Sequence, residues 1–164
     1  MRKIFGKVIL LIFVFVLGFS AFSQDCLSYH KSCRDAAAPN EYSFSDVSRS
    51  GLFLKGQSAE FVFDLYQGKD YRLTMCSDEV FGTKVQFKII DYDYGDVLYN
   101  NADFNFAKEF EFTVLQSRKI KLEVNVPSDE KTQQTTAVGI KPKPTQMGCI
   151  GVLVEFMVTP RKGF

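Results

Sequence analysis

The sequence predicts an all-β domain: a two-layer antiparallel β-sandwich of about eight or nine strands, jelly-roll-like, with a short N-terminal helix. Three observations predict it. Apolar and polar residues alternate with a period of two in run after run between residues 61 and 158, the pattern of half-buried strands. Gly-, Asp- and Asn-containing links separate those runs. After Pro39 no segment repeats at the helical period.

The first 23 residues read as a secretory signal. Arg2, Lys3 and Lys7 form a positive start, an apolar run follows to Phe19, and Ala21-Phe22-Ser23 supplies a small-x-small cleavage pattern. An apolar run of about 12 residues is shorter than a membrane-spanning helix needs. Gln24 and Asp25 fit poorly as neighbours of an acylated cysteine at Cys26. The expected product, residues 24–164, is one exported domain with no transmembrane segment. Without the signal, 17 basic residues stand against 19 acidic ones. A near-neutral chain lacks the electrostatic footprint that nucleic-acid binding requires.

Within that domain, residues 26–37 suit a short helix that ends before Pro39, since Ala36-Ala37-Ala38 favours helix. Phe61, Phe63 and Leu65 alternate with Val62, Asp64 and Tyr66, and Tyr71, Leu73 and Met75 resume the alternation. Gln67-Gly68-Lys69-Asp70 between them suggests a hairpin. Val85, Phe87 and Ile89 form the next strand, followed by Phe110, Phe112 and Val114, then Ile120, Leu122, Val124 and Val126. Gln116-Ser117 reads as a second hairpin turn. The last strand, 149–158, is apolar on both faces and is expected at the centre of a sheet. Shorter strands are expected near 42–44, 51–54 and 97–99. Residues 127–148 interrupt the rhythm with a long polar loop, either merely mobile or a functional excursion.

Four cysteines remain after the signal: Cys26, Cys33, Cys76 and Cys149. An even number in an exported chain points to disulfides. Cys76 ends one expected strand and Cys149 begins another, so Cys76–Cys149 is the preferred pair, with the pairing of Cys26 and Cys33 left open. On a helix Cys26, His30 and Cys33 would share one face, a spacing compatible with zinc but without an evident fourth ligand. Asp91, Asp93 and Asp96 surround a Gly turn and form a candidate calcium site, which Asn100, Asn101 and Asp103 could extend. Tyr92, Tyr94 and Tyr99 form a candidate glycan-binding surface. His30 is the only imidazole and stands outside any nucleophile-elbow, phosphate-loop, dinucleotide or His-Glu-x-x-His motif. No enzyme activity is expected, and no cofactor apart from the calcium candidate.

Three segments also carry a family likeness: residues 68–76, the Val-x-Phe-x-Ile-x-Asp strand at 85–91, and Gly148-Cys149-Ile150-Gly151-Val152-Leu153. On these the chain resembles uncharacterised small exported proteins of the Bacteroidota. Over residues 57–126 it is more distantly similar to bacterial pre-peptidase C-terminal-like domains. The resemblance implies an envelope-associated accessory module and brings no catalytic residue. The expected function is therefore a non-enzymatic binding module for another cell-envelope protein, using a sheet face or edge together with the 127–148 loop. The alternative is a calcium- or glycan-binding sandwich using residues 91–103. Periplasmic or envelope-associated retention is expected over release.

Overall fold

A computed structural model describes residues 26–34, 41–128 and 146–160. The signal segment, and all of the 127–148 loop but its ends, lie outside the described residues. Among the described residues, nine strands form two antiparallel sheets. The first contains β1 (Ser43–Phe44), β2 (Arg49–Leu54), β4 (Lys69–Ser77), β7 (Glu109–Thr113) and β9 (Met147–Val158). The second contains β3 (Ser58–Leu65), β5 (Gln86–Asp91), β6 (Val97–Asn100) and β8 (Arg118–Asn125).

Their order identifies the topology. The first sheet runs β2-β9-β4-β7, with β1 continuing the β2 edge along β9; the second runs β3-β8-β5-β6. Two four-strand layers in this interleaved order make a jelly roll. Ser48 bridges the break between β1 and β2. Its hydroxyl accepts from Val154 N–H at 3.0 Å, standing in for the strand the edge lacks there, and donates to Ser45 O at 2.8 Å, while Ser45 N–H donates to Val154 O.

Neither expected hairpin forms. β3 pairs with β8 while β4 pairs with β7 and β9, so residues 66–68 carry the chain from one sheet to the other. Residues 114–117 do the same between β7 and β8. Among the described residues, β5 and β6 alone pair as consecutive strands. Turn chemistry is the same for a hairpin and a crossing, and what decides is whether a strand has a free side. Neighbours on both sides already flank β4. The expected N-terminal helix is also corrected: a 3-10 turn at Tyr29–Cys33 occupies the segment.

Inward side chains pack between the layers, with Phe87, Leu73, Ile89, Ile120, Leu122 and Ile150 fully buried. As expected, β9 is covered on both faces. Its outer side lies beneath residues 26–34, a strap laid across the first sheet. A Cβ on Gly151 would stand 2.7 Å from His30 Cα and 2.8 Å from Cys33 Sγ, so glycine is what lets the strap seat.

Disulfides Cys26–Cys149 and Cys33–Cys76 fasten the strap, with Cα atoms 5.4 and 5.1 Å apart. This corrects the preferred Cys76–Cys149 pair. Cys76 lies opposite Gly151 in the register, so Cys149 is its diagonal neighbour. Diagonal Cα separations of about 7–8 Å exceed what a disulfide spans. The two cysteines do share the outer face, and each binds upward to the strap instead.

Beside the strap a charged pair is buried. Arg72 Nε and Nη2 donate to Glu155 Oε2 at 3.0 and 2.8 Å. Arg34 Nε stands 3.2 Å from Oε1, and the Tyr42 ring covers the Arg72 guanidinium at 4.3 Å. Two arginines and an aromatic lid compensate for burying this carboxylate.

Candidate functional site

At one pole of the sandwich, turns 66–68, 92–96 and 114–117 meet the end of β9. Local chemistry shapes each turn. Asp91 Oδ1 accepts the N–H groups of Asp93 and Tyr94 at 3.0 and 3.1 Å, and Gly95 takes a positive φ of 76°. Tyr92 N–H donates to Lys119 O at 3.1 Å, and Gln67 N–H donates to Ser117 Oγ at 2.9 Å. Tyr66 N–H donates to the Tyr71 hydroxyl at 3.1 Å. The backbones of these turns are thus braced by hydrogen bonds within and between them.

Those side chains are unusually apolar for turns. Tyr66, Tyr92, Tyr94, Leu115 and Val158 are all exposed here, and Tyr94 and Leu115 each keep 82% of their surface in solvent. Lys69 Nζ lies 4.0 Å from the Phe156 ring centre and 5.3 Å from that of Tyr66; Lys119 Nζ lies 5.5 Å from that of Tyr92. Clustered exposed apolar side chains mark interaction surfaces, with Tyr and Arg typical of their energetic centres.

The patch continues into a groove of about 270 Å³ on the open side of the sandwich between β6 and β7, lined mainly by Leu65, Ile89, Leu98, Phe110, Phe112 and Leu115. Arg118 stands at its rim, with Nη1 3.5 Å from Asp91 Oδ2. A file of stacked rings, Phe104, Tyr99, Phe110 and Phe112, backs this side, with the Tyr99 and Phe110 ring centres 3.7 Å apart.

Several sequence candidates are placed differently from expectation. Tyr99 is 7% exposed within that file, where burial raises its phenol pKa, so it cannot join Tyr92 and Tyr94 at the surface. Its position opposite Ile89 turns it into the core. Asp91 is buried; its carboxylate caps the turn and faces Arg118, while Asp93 and Asp96 are exposed. β6 separates Asn101 and Asp103 from the Asp91 turn and carries them to the opposite pole. There Asn101 is fully buried: its Oδ1 accepts Phe87 N–H, and its Nδ2 donates to Val85 O and Ala107 O. Among the described residues no group of three or more His, Cys, Asp or Glu is placed to hold a metal ion. The Cys26–His30–Cys33 arrangement fails for a direct reason: both sulfurs are in disulfides, and His30 Nδ1 pairs with Ser50 Oγ at 3.0 Å.

Leu98, Leu115, Tyr66 and Arg118 were not singled out by the sequence. Leu115 was the available signal, an apolar residue inside a turn. The described ends of the 127–148 loop lie at the opposite pole, where Lys55 N–H donates to Gln146 O.

No family model matches the chain, and no curated protein matches it. Among solved structures it is similar to Aeromonas hydrophila PliG, described as a periplasmic lysozyme inhibitor of g-type lysozyme. The identity is 10% and the TM-score 0.43, over 68% of this chain and 85% of that one.

Proposed function

We propose that the chain is an exported, non-enzymatic binding module that docks on another cell-envelope protein through the pole formed by residues 66–69, 91–98 and 114–119. One observation carries this reading: exposed Tyr66, Tyr92, Tyr94 and Leu115 converge on braced turns and run into an apolar groove rimmed by Arg118. Loops held by a rigid sandwich are a common place for recognition. The two disulfides suit the oxidising compartment that export provides. The envelope setting is also what the likeness to small exported proteins of the Bacteroidota implies.

The test is a cross-linked pull-down of the tagged full chain from envelope fractions of its native host, beside the Tyr92→Ala/Tyr94→Ala variant. A near-stoichiometric partner is expected with the parent chain. Truncating two anchors of about 1–2 kcal/mol each should lower its recovery by at least tenfold. Equal capture by both proteins, or recovery of the parent chain alone, would overturn the reading.

A further inference from the structure

β7 is an edge strand: β4 pairs with one side of it, and among the described residues no strand pairs with the other. Hydrogen bonds at the two ends of the β4–β7 pair fix which groups are free. Val114 N–H donates to Lys69 O, and Met75 N–H donates to Lys108 O. Bonded pairs alternate along an antiparallel ladder. Phe110 and Phe112 therefore aim their backbone polar groups at β4, while Glu109, Glu111 and Thr113 aim theirs outward.

The side chains sort the same way. Phe110 and Phe112 point between the layers yet are only half-buried, because the groove beside them is open. Glu109 and Glu111 lie on the outer face and are exposed; Glu109 accepts from Thr74 Oγ1 at 3.4 Å, and Glu111 stands 3.7 Å from Arg72 Nη1 with its other oxygen available to partners on the solvent side. We propose that the free edge of β7 receives an extended segment of the binding partner as an added strand of the first sheet, with alternating apolar and basic residues. This rests on the protein-binding reading and specifies its chemistry. Apolar residues of the added strand would fill the groove over Leu98, Phe110, Phe112 and Leu115, and basic residues would stand beside Glu109 and Glu111. Backbone pairing supplies affinity in such additions, and the alternating pockets supply selectivity. A second copy of this chain is disfavoured as the occupant, since pairing β7 with β7 sets like charges against one another.

The probe is a short synthetic peptide alternating valine and lysine, with a valine–glutamate peptide as control, titrated into the isotopically labelled full chain. The valine–lysine peptide should bind and slow hydrogen exchange at the Glu109, Glu111 and Thr113 amides. Glu111→Pro removes one outward N–H and leaves the β4 bonds intact, as proline is tolerated on an outward edge. Affinity should then fall roughly tenfold or more. Should that variant fail to fold, Glu109→Gln/Glu111→Gln serves instead and should narrow the preference for lysine over glutamate. Equal binding of the two peptides, or unchanged exchange at all three amides, would overturn the proposal. Host-partner capture separates the two levels. Capture that survives Glu111→Pro but falls with Tyr92→Ala/Tyr94→Ala defeats strand addition and leaves the binding reading standing. Capture indifferent to both variants defeats both.

Discussion

Gly151→Ala should change the sign of its effect depending on whether the strap is fastened. An alanine Cβ at this position would sit 2.7 Å from His30 Cα and 2.8 Å from both His30 N and Cys33 Sγ. Ordinary carbon contacts are about 3.5–4.0 Å, so the strap would have to lift by about an ångström. It cannot do so freely, because Cys33 is tied to Cys76 on the neighbouring strand. Overpacking of this kind costs about 1–3 kcal/mol. The disulfide closes a loop between residues 43 apart, and removing it as Cys33→Ala/Cys76→Ala should cost about 4 kcal/mol by loop-closure entropy. In that background the sulfur is gone and Cys26–Cys149 alone still ties the strap, so its 29–33 turn can lift away from Gly151. Alanine is then the better strand residue, and Gly151→Ala should stabilise by about 0.5 kcal/mol. Urea unfolding of the four proteins, with slopes checked for constancy, yields the coupling energy. An equal cost in both backgrounds would place the penalty within β9 and refute the account of the strap.

Three further outcomes are expected. Asn101→Ala should destabilise by about 2–4 kcal/mol in the same urea assay, because it orphans buried Phe87 N–H, Val85 O and Ala107 O together. The Tyr29 phenol is pushed up to about 12 by burial, then by its hydrogen bond to Asp78 and that residue's charge. The folded chain therefore holds this proton longer than the unfolded one. Its contribution is intact below about pH 10 and is lost as pH rises through 12, with the sign checked by the alkaline dependence of unfolding in parent and Tyr29→Phe. Millimolar calcium should leave the melting temperature unchanged, since the Asp91 carboxylate is committed to two backbone N–H groups and Arg118; a rise abolished by Asp91→Ala/Asp93→Ala would restore the calcium site.

The strands were legible because burial writes a period of two into them. Ile120, Leu122 and Val124 announced an inner face, and the two apolar faces of 149–158 announced a central strand. The partners of those strands were not legible. Gly68 and Ser117 support a reversal equally well within a sheet or between sheets, and the choice depends on neighbours remote in sequence. The same limit governs the cysteines, whose shared face followed from alternation while the strap that claims both sulfurs did not. Arg72 and Glu155 stand at outward positions and would be expected in water, yet the strap and Tyr42 bury them. At the candidate site Tyr92 and Tyr94 were readable as exposed turn residues. Tyr99 was misplaced because β6 is too short to display its alternation, and the groove exists only where two strand edges from different layers come side by side.

The way the strap is fastened also dictates an order of assembly. Cys26 and Cys33 are close in sequence and would meet first in an unfolded chain, yet each is bound elsewhere. Cys33 can find Cys76 once β4 has been made, whereas Cys26 must wait for a partner 123 residues downstream on the final strand. β2 waits for that same strand, and β3 waits for β8. Such non-local pairing folds slowly. Any early Cys26–Cys33 link has to be undone by thiol–disulfide exchange before the strap can close. Closure of the Cys26–Cys149 bond therefore acts as a chemical record that the whole jelly roll has been completed. A Cys26–Cys33 link formed early would hold up maturation until it is reshuffled.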